Sequence, residues 1–188
     1  MKNISLISIL TSLIVFTSPA QESLPSDESI STKLEEFQAK TGVVITGNYI
    51  DIGGIEGTQG TSVGVQATEL RESNSQRKEY GVEVHVRGQN AKNAISYVDY
   101  DEIESLLKGL DFMAKAKSRE GDARDLRATY RTKGGFAVST FSDSTGRRMY
   151  VASGRSVSVS ALFDTDKLIE VRTLFVIAKS ALDKMRKK

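Results

Sequence analysis

The sequence predicts an α+β fold: antiparallel β-sheet of about eight strands with two long helices packed on it, in the order ββββα-ββββα. Three observations carry this. Short segments of alternating apolar and polar residues come in two groups of four. Each group runs into a long stretch of helical spacing, at 101–118 and at 164–186. Both prolines, Pro19 and Pro25, precede all of these segments, so no strand or helix is interrupted by a residue lacking an N–H.

Taken in order, Thr32 followed by Glu35 fits a capping box for a helical turn or two carrying Leu34 and Phe37, with Gly42 as its stop. The first strand is expected over 43–52, and 53–60 (GGIEGTQG) as a glycine-rich turn or bulge. The second strand, 61–70, sets Val63, Val65 and Ala67 on one side. The third, 78–86, is the clearest: Tyr80, Val82, Val84 and Val86 face one way, and Glu79, Glu83 and His85 the other. A turn at 88–93 leads to a fourth strand, 94–100. Asp101 with Glu104, or Asp99 with Glu102 in the alternative register, then caps a helix whose apolar face is Ile103, Leu106, Leu107, Leu110 and Met113.

The second half repeats the order. Leu126, Ala128 and Tyr130 alternate with Arg127, Thr129 and Arg131, and a turn at Gly134-Gly135 leads to a strand at 136–141. Strands at 148–152 and 156–163 follow, the last alternating serine with valine. The closing helix carries Leu168, Val171, Leu174, Phe175, Ala178, Leu182 and Met185 on one stripe, with Arg186 and the terminal lysines where cations suit the helix dipole. A shift of 65 residues lays Asp99 on Asp164, Asp101 on Asp166, Ile103 on Leu168 and Leu110 on Phe175, consistent with a duplicated unit or with two capped helices that obey the same physics. In element order alone the chain resembles the duplicated folds of Whirly-type and PUR-type single-strand nucleic-acid binders. None of their motifs is matched, and no binding residue carries over.

Residues 1–20 read as a secretory signal peptide: Lys2, an apolar run from Ile4 to Phe16, and small residues Ser18 and Ala20 ahead of a cleavage point after Ala20. That run is short of the roughly twenty residues a membrane span needs. Residues 21–31 form a polar leader, and 32–188 a single α+β domain with halves 32–120 and 121–188. The expected product is an exported soluble protein, periplasmic or secreted.

With no Cys there is no disulfide, thiolate metal site, cysteine nucleophile or lipidated N-terminal Cys, and a single His builds no multi-histidine metal centre. A net charge of +2 is too small to mark a nucleic-acid binder on its own, and export argues against an intracellular nucleic-acid role.

Two constellations stand out. Asp99, Asp101, Glu102 and Glu104 form the densest acidic cluster; such carboxylates can serve acid–base chemistry, but helix capping accounts for most of them. Arg127, Arg131, Arg148 and Arg155 can share a basic sheet face with Phe141 and Tyr150 nearby, suited to a polyanion whose sugars or bases stack on the rings. His85, beside Glu83, has no partner nucleophile marked by spacing. The glycine-rich 53–60 segment lacks both the P-loop lysine and a following helix. No catalytic residue, metal site or cofactor is assigned. The reading favours a non-enzymatic binding or envelope-associated module, its partner a protein or an envelope polymer. A polyanion or single-strand nucleic-acid binder and a carboxylate-dependent hydrolase are the alternatives. An exposed edge strand in either half can pair a homo-oligomer.

Overall fold

Alternating strands bury one face each, and the valine rows of the first half show it: Val63, Val65, Val82, Val84, Val86 and Val98 are all buried. The computed structural model describes residues 31–116, 127–143, 146–155 and 158–187. In it β1 (Ile45–Glu56), β2 (Ser62–Glu72), β3 (Lys78–Arg87) and β4 (Asn93–Asp99) form an antiparallel meander. A short α1 (Lys33–Gln38) precedes it and α2 (Ile103–Lys115) follows it. The second meander is β5 (Arg127–Arg131), β6 (Ala137–Asp143), β7 (Gly146–Ser153) and β8 (Val159–Asp164), closed by α3 (Leu168–Arg186). The fold is therefore α+β with the ββββα-ββββα order, but the eight strands make two four-stranded sheets, not one continuous sheet.

One apolar cluster joins the inner faces of both sheets to both long helices. Phe136 and Phe175 meet there at 5.3 Å between ring centroids. Each fully buried side chain of this size contributes about 2 kcal/mol of burial. The 65-residue shift holds at the helix starts: Asp99 and Asp164 end their sheets in the same extended conformation, each is followed by a single 3-10 turn, and α2 and α3 begin at Ile103 and Leu168. Ile103, Leu106, Leu110 and Met113 on α2 and Leu168, Val171, Phe175 and Ala178 on α3 are all buried. Arg172 ties the helices with a bidentate bond to Asp111, at 2.6 and 3.1 Å.

Most boundaries shift by one to three residues, and the ends of β1 and the start of β8 are the clearest differences from expectation. β1 continues through Gly53 and Gly54 to Glu56, so the turn begins only at Gly57. The reason is a register shift between Asp51 and Gly53: Gly53 takes φ 122°, and its N–H donates to Asp51 Oδ1 at 3.1 Å. β8 starts at Val159, and the residues 156–157 expected to open it lie outside the described residues. The first long helix, expected to reach 118, ends at Lys115, because Ala116 turns to the extended conformation as its C-cap; Leu126 and residues 144–145 lie outside the described residues.

The sheets cover one another's edges. The β1–β2 turn lies on β8: Thr58 Oγ1 donates to the Leu162 carbonyl at 3.2 Å, and the Leu162 N–H donates to Thr61 Oγ1 at 3.3 Å. In return, Gly134 of the β5–β6 turn rests on the backbone of β4 at Tyr97. Between the sheets the buried hydroxyls of Ser96 and Ser153 bond to each other. Among the described residues no helix is long and apolar enough to cross a membrane.

Candidate binding face of the second sheet

Strand pairing fixes what the outer face of the second sheet presents. Residues directly opposite in an antiparallel ladder point to the same side. Arg127, Phe141, Arg148 and Asp164 form one cross-strand row, Thr129, Ser139, Tyr150 and Leu162 the next, and Arg131, Ala137, Ala152 and Ser160 a third. The alternate rows, such as Tyr130, Val138, Val151 and Ala161, belong to the core. Tyr130 turns inward because it packs on Gly109 of α2 and shares a 2.7 Å hydrogen bond with Ser105.

On the outer face Phe141 and Tyr150 stack across β6 and β7, with centroids 5.0 Å apart and planes within 12°. Tyr150 remains 39% exposed, a large aromatic surface left in water. Arg127 and Arg148 flank Phe141 in its row, with Asp164 opposite Arg148. Thr129 and Ser139 share a 2.9 Å hydroxyl bond beside them. Beyond Tyr150 the face drops into a groove of about 400 Å³ whose walls include Tyr150, Ser158, Ser160, Gln89, Asn90 and Lys92. The 88–92 turn reaches this position because Gly88 lies against β8, where a Cβ would meet Val159 at 2.7 Å and the Ser160 carbonyl at 3.1 Å. The turn closes with Asn90 and Ala91 at positive φ and an N–H bond from Gly88 to the Lys92 carbonyl.

Three of the four candidate arginines, Arg127, Arg131 and Arg148, therefore share one face. Arg155 does not join them. Its guanidinium donates to the Lys133 carbonyl at 3.0 Å and to the Glu35 carboxylate. Burial alone would raise the Glu35 carboxyl, but the Arg155 and Thr32 hydrogen bonds outweigh it and hold it below its ordinary value. Arg147 donates to the Ala116 carbonyl at 3.1 Å. Lys117, Arg119 and Arg124, together with Glu120, Asp122 and Asp125, lie outside the described residues.

The acidic cluster is engaged at helix starts. Asp99 is fully buried and accepts N–H bonds from Lys33 at 3.0 Å and Leu34 at 3.3 Å, the first residues of α1. Burial raises its carboxyl, opposed by those two bonds. Asp99 and Glu102 make the capping box, so the alternative register is the one adopted. Glu102 also accepts from the Lys133 N–H at 3.0 Å. Asp101 pairs with Lys33 Nζ at 2.7 Å, and Glu104 lies exposed in the first turn of α2. Among the described residues no group of three His, Asp or Glu side chains converges to hold a metal.

His85 and Glu83 lie on the outer face of the first sheet, Nε2 and Oε2 3.5 Å apart, too long for a hydrogen bond. Glu83 is buried there, and desolvation raises its carboxyl although the imidazole opposes this.

The groove was not legible in the sequence. The 88–93 turn is, but nothing local says that it rests on the second sheet. The stack of Phe141 on Tyr150 follows from the 141–148 register, which a two-strand alternation leaves open. Comparison with protein-family models, with curated proteins and with solved structures finds no match.

Proposed function

We propose that this chain is an exported, non-enzymatic binding module that takes an anionic polysaccharide of the cell envelope on the outer face of its second sheet. The observation that carries the reading is the Phe141–Tyr150 stack, with Arg127 and Arg148 flanking Phe141 in its row and a hydroxyl- and amide-lined groove beside Tyr150. Sugar rings use such aromatic faces for their apolar C–H surface, and hydroxyls, amides and cations for their polar rim. Lys92 and Arg148 stand where carboxylates or sulfates of the polymer find charge. Export rests on the residues 1–20 signal pattern. The commitment of Asp99, Asp101 and Glu102 to helix starts favours binding over a carboxylate-based hydrolysis.

The test is titration of the purified chain with a uronate or sulfated polysaccharide, a neutral polysaccharide and oligo-dT over a range of salt. Binding to the anionic polysaccharide is expected, weakening steeply as salt rises. Tyr150→Ala should weaken it about ten-fold, in line with the ~1–3 kcal/mol of one stacked ring. Arg148→Ala should flatten the salt dependence, whereas Arg155→Ala should leave its slope unchanged. Salt-independent binding, no binding, or preference for oligo-dT would overturn the reading.

A further inference from the structure

Four strand edges bound the two sheets, and three are protected. β8 is covered by the β1–β2 turn through Thr58 and Thr61, and β4 by Gly134 of the β5–β6 turn. β5 is five residues long and carries an arginine at each end. Short length and charge are the usual defences of a free edge. β1 has neither. It runs for twelve residues, Ile45–Glu56, with no Lys, Arg or Pro and with Asp51 and Glu56 as its only charges. Among the described residues it pairs with β2 alone. Beside this edge the surface is apolar: a groove of about 620 Å³ runs between β1 and α3, lined by Ile50, Asp51, Ile52, Val176, Ile177 and Lys184. Ile50, Val176 and Ile177 are 40%, 40% and 47% exposed.

We infer that β1 is the dimerisation strand: two copies pair their β1 edges antiparallel about a two-fold axis, and each α3 groove is closed by the other copy. An edge of unpaired N–H and C=O groups is matched by another extended strand, and a second β1 offers equal length and the same lack of Lys, Arg and Pro. An isologous contact must be self-complementary, and this groove carries one acid, Asp51, and one base, Lys184, so each copy brings the countercharge the other needs. The result is an eight-stranded sheet crossing the axis, with Ile50 and Ile177 removed from water. The binding face of the second sheet lies elsewhere and is then presented twice.

The mass of the purified full chain in solution, by light scattering and sedimentation, tests this directly. A dimer mass is expected. Ile50→Lys or Ile177→Glu, each replacing an already exposed side chain, should halve that mass with an unchanged circular dichroism spectrum. Should either variant unfold, charge exchange gives a second measurement. Asp51→Lys and Lys184→Asp should each raise the dimer dissociation constant about ten-fold, and the double exchange should recover most of it. A monomeric mass at every concentration, or a dimer whose dissociation constant none of these changes moves, would overturn the proposal.

Discussion

Gly134 lies so close to Tyr97 that a Cβ there would stand 1.9 Å from the Tyr97 carbonyl oxygen. The obstacle is backbone of an edge strand, which cannot rotate away as a side chain can. Gly134 is not at positive φ, so the requirement for glycine is steric. Gly134→Ala should therefore cost about 3 kcal/mol, the upper part of the range for overpacking. Gly60 makes the comparison: it has φ 71° and open space around it, so Gly60→Ala should cost only about 1 kcal/mol of backbone strain. Denaturant titration of both variants checks the difference. Equal losses would mean that the β5–β6 turn does not hold the β4 edge.

Ser96 and Ser153 meet where the sheets touch, both buried, with their hydroxyls bonded to each other. Removing one leaves the other without its partner inside the core. Ser96→Ala alone should cost about 2 kcal/mol, the desolvation of one orphaned hydroxyl. The double change Ser96→Ala with Ser153→Ala should recover most of that loss, since neither polar group then remains. A double-mutant cycle on unfolding free energies measures the coupling.

Period-two and helical spacing are local, and they carried the parts of the fold that are local. The inward valines of β3, the stripes of both long helices and the parity that sets Tyr130 against Arg127 and Arg131 all follow from side-chain direction within one element. The 65-residue correspondence of Asp99 with Asp164 was legible because the residue that ends a strand and the first buried residue of the helix after it are also local, although only Asp99 makes a capping box. The partition into two sheets was not, since it depends on which turn meets which edge. Gly53 and Gly54 show the same limit: their composition reads as a turn, but the Asp51–Gly53 bulge keeps them in β1, where Gly54 admits the Val63 carbonyl 2.9 Å from its Cβ position. For the site, alternation sets Arg127 and Arg131 on one face of β5; that Arg148 lies on the same face follows from its pairing with Phe141, which alternation leaves open. Arg155 lies past the end of β7, and its partner Glu35 is 120 residues away in sequence, so no spacing rule reaches it.

Glu83 is buried on the outer face of the first sheet, and desolvation raises its carboxyl above the ordinary value. An acid whose folded value is raised binds more protons folded than unfolded, so stability falls as pH climbs from the unfolded value through the folded one. Below about pH 4 both states are protonated and the penalty vanishes. Glu83→Gln removes the charge without changing shape. It should raise stability near neutral pH by about 1 kcal/mol, and the gain should fade in acid. Thermal unfolding of both proteins across the acid range reads this. An equal difference at every pH would show that the charge of Glu83 is not what burial penalises.

Asp99 joins two helix starts through one buried carboxylate, accepting the first N–H groups of α1 while capping the turn ahead of α2. Those bonds hold Leu34 and Phe37 against Leu70, the small apolar cluster on the outer face of the first sheet. Gly81 supports the same seat, since a Cβ there would lie 2.5 Å from the Leu34 side chain. Asp99→Ala removes both acceptors and should cost about 2 kcal/mol. The loss should also be local: amide exchange in 33–38 should accelerate before exchange in β2 and β3 changes. Asp99→Asn keeps one carbonyl oxygen and should retain part of the protection. Affinity for an anionic polysaccharide should stay at the wild-type level in both, because α1 and the second-sheet face share no residue. If α1 stayed protected in Asp99→Ala, its apolar seat alone would be holding it and the carboxylate would have another task.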